Sequence, residues 1–148
     1  MRRNKWTIAL LLWLTSITIT SHGRVDSRAF VHTVSAGAHL GSEASFASFW
    51  ASWWWLFVKG WHVVEFLILT LLINANMRRS DRIARAILCA LAFACFDEWH
   101  QTFIPFRGGR ISDVGIDSIG IATAALGACV VQRRAKQNKL NASTLQNV

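Results

Sequence analysis

Four long runs of apolar residues, separated by polar or basic segments, dominate the pattern of the chain. The runs extend from Trp6 to about Thr20, from Leu56 to about Ala75, from Ile83 to about Trp99, and from Ile111 to Val131. A helix needs roughly 20 residues to cross the ~30 Å hydrocarbon core of a bilayer. The second and fourth runs meet this length, and the third is slightly short. The pattern therefore predicts an all-α integral membrane protein, built as a four-helix transmembrane bundle.

The first run is the weakest of the four and has two interpretations. It follows the basic segment from Met1 to Lys5, which is also how a secretory signal begins. The segment from Thr18 to Ser21 is a poor match to a small-x-small cleavage site. We therefore expect an uncleaved anchor helix.

Basic residues in the connections set the predicted orientation. With the N-terminus in the cytoplasm, 11 of the 16 Lys and Arg residues lie on the cytoplasmic side: Arg2, Arg3, Lys5, Arg78, Arg79, Arg82, Arg85, Arg133, Arg134, Lys136 and Lys139. The remainder lie outside: Arg24, Arg28, Lys59, Arg107 and Arg110. Because short basic loops resist translocation, we expect both termini to be cytoplasmic.

The connection between the first two runs, roughly from Ser21 to Phe57, ends in the aromatic sequence FASFWASWWWLF. Aromatic rings at this density favour the membrane–water interface, so an interfacial helix or an early start of the second span both fit. A platform that stacks carbohydrate or lipid is the functional alternative.

The polar tail from Gln132 to Val148 is expected to fray. The chain then divides into an anchor helix with its connection (1–55), a three-helix core (56–131) and a cytoplasmic tail (132–148).

Composition narrows the class of protein further. Of the 148 residues, which suffice for one domain, 53% are hydrophobic and 16% are charged, and the mean hydropathy is +0.32. The net charge of +8 would suggest a nucleic-acid partner in a soluble protein. Here the basic residues cluster between apolar runs, so we expect no nucleic acid. Cys89, Cys95 and Cys129 lie inside apolar runs without zinc-like spacing, which is typical of small buried thiols.

Most of the eight acidic residues fall in or beside the apolar runs, near their predicted outer ends. In the second run, Lys59, His62 and Glu65 follow one another at i, i+3 steps, which keeps them on one side of a helix. The third run brings Asp97, His100 and Gln101 to one face, with Glu98 rotated about 100° away. The fourth begins with Asp113 and Asp117, four residues apart on one face.

Charged side chains that face lipid cost a few kcal/mol each. Three helices that carry such groups at one depth should therefore turn them toward one another. The fourth run adds a stripe of small residues, Asp117, Gly120, Ala124 and Gly127, along which helices can approach closely. We predict a polar pocket that opens to the outside. Ion pairs that serve only to fix helix packing are the structural alternative.

These motifs together resemble the VanZ-like membrane protein family. The resemblance rests on Lys59-x-x-His62-x-x-Glu65-Phe66, Asp97-Glu98-x-His100-Gln101-x-Phe103-x-Pro105-x-Arg107, and Asp113-x-x-x-Asp117-x-x-Gly120. It covers roughly residues 56–127. Phe66, where the family commonly has Tyr, and Phe106, where it often has Gly, depart from the pattern. The resemblance implies a small multi-span protein of the bacterial cytoplasmic membrane, in a family named for a component linked to teicoplanin (glycopeptide) resistance.

The same residues suggest a site for a membrane lipid or a lipid-linked envelope precursor. The candidate catalytic residues are His62, Glu65, Asp97, Glu98 and His100, with His62 or His100 as general base or acid and Glu65 or Asp97 orienting the imidazole. The candidate substrate-binding residues are Lys59, Gln101, Arg107, Arg110, Asp113 and Asp117, with the arginines suited to phosphate or carboxylate. No cofactor is assigned.

Other functions stay open at this stage. The two carboxylate–histidine pairs, His62 with Glu65 and Asp97 with His100, have the spacing of di-metal sites in helical bundles. Intramembrane acids and histidines are also typical of proton-coupled transport, although the inner halves of the runs are apolar. A non-catalytic membrane scaffold and a homo-oligomer fit the sequence equally.

Overall fold

The computed structural model describes residues 2–22, 27–38, 42–78, 81–105 and 108–146. Within these ranges the chain is all-helical and contains no strand. The helices are α1 (Arg2–His22), α2 (Ser27–Ala38), α3 (Glu43–Asn76), α4 (Arg82–Gln101) and α5 (Ile111–Gln146). The prediction of an all-α fold is confirmed, and each of the four apolar runs lies inside one helix: α1, α3, α4 and α5.

Two of these helices, α3 and α5, are long and apolar enough to cross a membrane. Each contains a window with a mean hydropathy of 1.9, of which only 28% is buried in α3 and 33% in α5. A helix in the core of a soluble protein would be mostly buried. The exposed apolar surface of α3 and α5 therefore supports a membrane protein.

The Trp-rich segment is part of α3, which begins at Glu43, well before Leu56. Ser42 caps the helix, since its hydroxyl accepts a hydrogen bond from the Ser45 backbone N–H at 3.2 Å. Helix α2 packs on this N-terminal half of α3, where the rings of Phe30 and Trp50 lie 4.3 Å apart between centroids. The helix that contains the second apolar run thus begins early, as one of the two sequence interpretations proposed.

Two sequence expectations about local structure are wrong. The tail after Val131 does not fray but continues α5 to Gln146. It contains no Gly or Pro and several good helix formers, so propensity alone favours this extension. The thiols of Cys89 and Cys95 are exposed rather than buried, whereas Cys129 is half-buried.

The core lies where α3 packs against α1, α4 and α5. Phe66 and Leu69 on α3 are fully buried there, next to Ile17 of α1 and Ile121 of α5. Helix α4 contributes three small residues at four-residue spacing, Ala86, Ala90 and Ala94, which are also fully buried. Their small side chains let α4 lie close to the aromatic and aliphatic side chains of α3.

The small-residue stripe of α5 is in part confirmed. Asp117, Gly120 and Ala124 are buried. A Cβ atom at Gly120 would collide with the Val63 carbonyl oxygen, so α3 and α5 touch backbone to backbone at this point. Gly127, in contrast, is exposed and faces open space, so the close helix contact does not extend to this residue.

Candidate functional site

Polar side chains gather where the C-terminal ends of α1 and α4 meet the N-terminal end of α5 and the middle of α3. They form two separate groups. One group lines a cavity between α3 and α5. The other is a set of buried hydrogen bonds that join α1, α3 and α4.

The cavity has a volume of about 260 Å³. Charged and polar side chains from α3, α5 and the segment before α5 line it together with aromatic and aliphatic side chains. The lining residues are Trp54, Trp55, Val58, Lys59, His62, Gly108, Arg110, Asp113 and Ile116. Four of them, Lys59, His62, Arg110 and Asp113, belong to the residues that the sequence predicted for a site.

Two side-chain pairs connect α3 to α5 at this cavity. Lys59 Nζ donates to Asp113 Oδ1 at 2.9 Å. His62 Nδ1 lies 3.4 Å from Asp117 Oδ1, slightly farther than in an ordinary hydrogen bond. The predicted site residues of the two helices thus face one another. They pair across the helices, and Lys59, His62 and Asp113 also line the cavity.

Asp117 is unusual because its side chain is fully buried and neither carboxylate oxygen accepts a hydrogen bond within the described part of the chain. A buried carboxylate without donors is costly. The imidazole of His62 is its neighbour, and the ring lies between Asp117 and the cavity. Asp117, rather than Glu65, is therefore the carboxylate placed to orient His62.

Glu65 and Asp97 belong to the buried group. The hydroxyl of Thr20 donates to Glu65 Oε1 at 2.8 Å. Asp97 Oδ2 accepts from the Ser21 hydroxyl and from Gln101 Nε2, both at 2.8 Å. Both carboxylates are almost completely buried, at 2% and 4% exposure. These bonds satisfy charges that would otherwise be unpaired in the interior, and they fasten α1 to α3 and α4.

Glu98 points away from Asp97, as the helical rotation predicted, and stabilises the start of the next helix. Its Oε2 accepts the backbone N–H of Arg110 at 2.8 Å. A Cβ atom at Gly109 would collide with the Glu98 carbonyl oxygen, so the chain lies directly against α4 here. Glu98 therefore holds the segment that carries Arg110 into the cavity wall.

His100 contacts rings in the described part of the chain and not Asp97. Its centroid lies 4.7 Å from that of His22 and 6.2 Å from that of Phe96. The pairing of Asp97 with His100 suggested by the sequence is absent from the described contacts. Nor do three or more His, Cys, Asp and Glu side chains among the described residues converge as metal ligands would. Arg107, a predicted substrate-binding residue, lies outside the described residues.

Several residues at this end of the bundle were not predicted from the sequence. Thr20 and Ser21 supply the donors for Glu65 and Asp97, and Trp13 Nε1 donates to the Glu65 backbone carbonyl at 3.0 Å. Trp54 and Trp55, which line the cavity, belong to the aromatic segment that the sequence suggested as a stacking platform, but they were not among the predicted site residues. One signal could have indicated the hydroxyls: buried carboxylates on neighbouring helices need donors, and the end of the first apolar run is rich in Ser and Thr.

Comparison with known proteins gives one match. The model of the VanZ/LLP1 family matches residues 6–132. The match begins near the start of α1, so it reaches well before Leu56, where the sequence resemblance was first placed. No curated protein and no solved structure matches the chain.

Proposed function

Because the chain belongs to the VanZ/LLP1 family, whose model covers residues 6–132, we propose that it is a multi-pass protein of the bacterial cytoplasmic membrane with a headgroup-binding cavity. The cavity between α3 and α5 binds the polar headgroup of a membrane lipid or of a lipid-linked envelope precursor. The observation that carries this proposal is the mixed lining of the cavity, in which the cations Lys59 and Arg110 lie together with the indole rings of Trp54 and Trp55.

The helix lengths support a four-span arrangement. At 1.5 Å per residue, the 21 residues of α1 and the 20 of α4 extend about 30 Å, the thickness of the hydrocarbon core. With both termini in the cytoplasm, the N-terminal half of α3 projects outward and the basic end of α5 projects inward. The cavity then lies at the outer interface, where a headgroup would be found.

The mixed lining of the cavity suits an amphiphilic ligand. Arg110 makes no ion pair with any described residue, so it is available for an anion. The indole rings of Trp54 and Trp55 are half-exposed and prefer the interface between lipid and water. A ligand with a charged head and an apolar tail would contact Arg110 with its head and the indole rings with its tail.

The cavity volume constrains the link to glycopeptide resistance. Pockets for drug-sized ligands measure roughly 300–1,000 Å³, so about 260 Å³ accommodates a headgroup and not a glycopeptide antibiotic. The family's connection to teicoplanin would then operate through an envelope lipid or precursor that the antibiotic depends on, rather than through the antibiotic itself.

Substitution of the cavity cations tests the proposal. In cells that show a teicoplanin phenotype with the wild-type protein, Arg110→Gln and Lys59→Gln should lose the phenotype at unchanged membrane abundance. Both side chains are partly exposed, so their replacement leaves the core intact. Lys139→Gln, on the exposed end of α5, is the matched control and should keep the phenotype. If the phenotype is lost only in proportion to a lower membrane abundance of each variant, the result would contradict a binding site and favour a structural role.

A further inference from the structure

The orientation of His62 determines which ring nitrogen a ligand meets. Its Nδ1 is buried and lies 3.4 Å from Asp117 Oδ1, whereas the residue as a whole lines the cavity. The two nitrogens of an imidazole are separated by one ring carbon, and their lone pairs or N–H bonds point in different directions. Of the two, only Nδ1 of His62 is buried without a hydrogen-bond partner in the described part of the chain. Nε2 is therefore the nitrogen that His62 presents to the cavity.

Asp117 fixes the position of the proton on that ring. The carboxylate is fully buried, and no other described group donates to either of its oxygens. A proton on His62 Nδ1 gives the carboxylate its one nearby N–H, whereas a bare Nδ1 would place two lone pairs against each other. The neutral ring then carries a free lone pair on Nε2, which accepts a hydrogen bond and does not donate one.

The cavity thus offers a cation and a hydrogen-bond acceptor side by side. Lys59 is already paired with Asp113, so Arg110 is the cation left for an anion among the described residues that line the cavity. Arginine matches phosphate oxygens with two parallel N–H groups. His62, one helical turn along α3 from Lys59, adds the acceptor, and this acceptor requires a ligand that brings a hydrogen-bond donor. Beside the cations Arg110 and Lys59, a neutral O–H group is favoured over a cationic ammonium group as that donor.

We propose that the cavity selects a phosphate diester headgroup that carries a free hydroxyl, with the phosphate on Arg110 and the hydroxyl donating to His62 Nε2. Asp117 is the positioning residue that holds His62 in this tautomer. The inference rests on the proposed function, because it names the class of headgroup that the same cavity would bind. Phosphodiesters of glycerol and of sugars share this chemistry.

Two lipids with the same charged phosphate diester, of which only one carries hydroxyls on its headgroup, test the selection. The full-length protein is reconstituted in phosphatidylcholine nanodiscs and titrated with short-chain phosphatidylglycerol or with phosphatidylmethanol, which has the same charged diester and no hydroxyl. One neutral hydrogen bond contributes about 0.5–1.5 kcal/mol, so phosphatidylglycerol should bind roughly two- to tenfold more tightly. A third titration with glycerophosphoglycerol, the soluble headgroup, shows whether the lipid tail is required.

Variants assign the preference to residues. His62→Phe should remove the preference and still bind both lipids. Arg110→Gln should weaken both lipids equally and keep the preference. Asp117→Asn should reduce the preference, because the asparagine amide donates to Nδ1 and moves the proton to Nε2.

The tautomer itself is read by nitrogen-15 NMR of labelled histidine, with the His62 signal assigned by its absence from His62→Phe. The wild-type protein should show Nδ1–H with a bare Nε2, and Asp117→Asn the reverse, a signature that loss of folding does not mimic. A wild-type protein with Nε2–H, or a preference that survives in His62→Phe, would overturn the inference. Equal binding of the two lipids overturns it while leaving the headgroup proposal standing. Binding of neither lipid overturns both.

Discussion

Gly120 shows how a single residue sets the distance between two helices. Its missing side chain lets the backbone of α5 rest on the Val63 carbonyl of α3. This contact lies three residues beyond Asp117 and therefore brings Asp117 within reach of His62. The absence of a side chain at Gly120 thus allows the close helix contact that brings Asp117 next to His62.

We expect Gly120→Ala to destabilise the protein, because the added Cβ forces α3 and α5 apart. Overpacking of this kind costs about 1–3 kcal/mol. The measurement is the free energy of unfolding in detergent. Gly115→Ala and Gly127→Ala lie on the same helix in open space and should leave the unfolding free energy nearly unchanged. Equal losses in all three variants would show that helix propensity, and not the backbone contact, is responsible.

At the scale of the element, α1 is the helix that depends most on polar contacts. It packs on α3 with an apolar face that includes Ile17, and it ends with Thr20 and Ser21, whose hydroxyls reach carboxylates on α3 and α4. At the other end of the helix, Asn76 Nδ2 donates to the Trp6 backbone carbonyl at 3.1 Å. The helix is therefore fastened to the bundle at both ends.

Ser21→Ala should weaken this attachment. It removes one of the two donors to the buried Asp97 carboxylate, and a hydrogen bond to a charged group contributes about 1.5–3 kcal/mol. The loss should appear as lower thermal stability in detergent. Ser48→Ala is the control, since Ser48 is exposed and donates only to the Ser45 carbonyl of its own helix. If both variants melt at the wild-type temperature, Gln101 alone satisfies Asp97.

The elements were largely predictable from the sequence, and the pairing within the site was not. Long runs of apolar residues located all four long helices, and helical spacing put Lys59 and His62 on the side that faces the cavity. Spacing along one helix favoured Glu65 as the partner of His62, but the structure pairs His62 with Asp117 across helices. That pairing depends on the depth at which α3 and α5 cross, which the Gly120 contact sets and which no pattern within one helix encodes. The donors on α1 were missed for the same reason.

At the scale of the whole molecule, α3 and α5 are longer than a bilayer is thick. Their 34 and 36 residues extend about 51 and 54 Å, against ~30 Å of hydrocarbon. The excess of α3 lies at its N-terminal end, which is aromatic, and that of α5 at its C-terminal end, which is basic. In the proposed orientation the two ends project from opposite faces of the membrane.

Cysteine labelling tests this orientation. Cys89, Cys95 and Cys129 are first replaced by serine, since the structure contains them as free thiols. A membrane-impermeant maleimide should then label Ser48→Cys in intact cells. It should reach Lys139→Cys only after permeabilisation, because positive charge keeps that end in the cytoplasm. Labelling of Lys139→Cys in intact cells would reverse the orientation and place the cavity on the inner side.

The aromatic wall of the cavity has a consequence for how a ligand would arrive. Trp54 and Trp55 are 48% and 47% exposed, and Val58 beside them is 37% exposed. In the proposed orientation these apolar side chains would border lipid rather than bulk water. A lipid headgroup would then reach Arg110 by two-dimensional diffusion within one leaflet. Occupancy would follow the mole fraction of that lipid in the bilayer and not its concentration per volume of buffer. Dilution of the ligand with inert lipid, at constant total amount, would therefore empty the cavity.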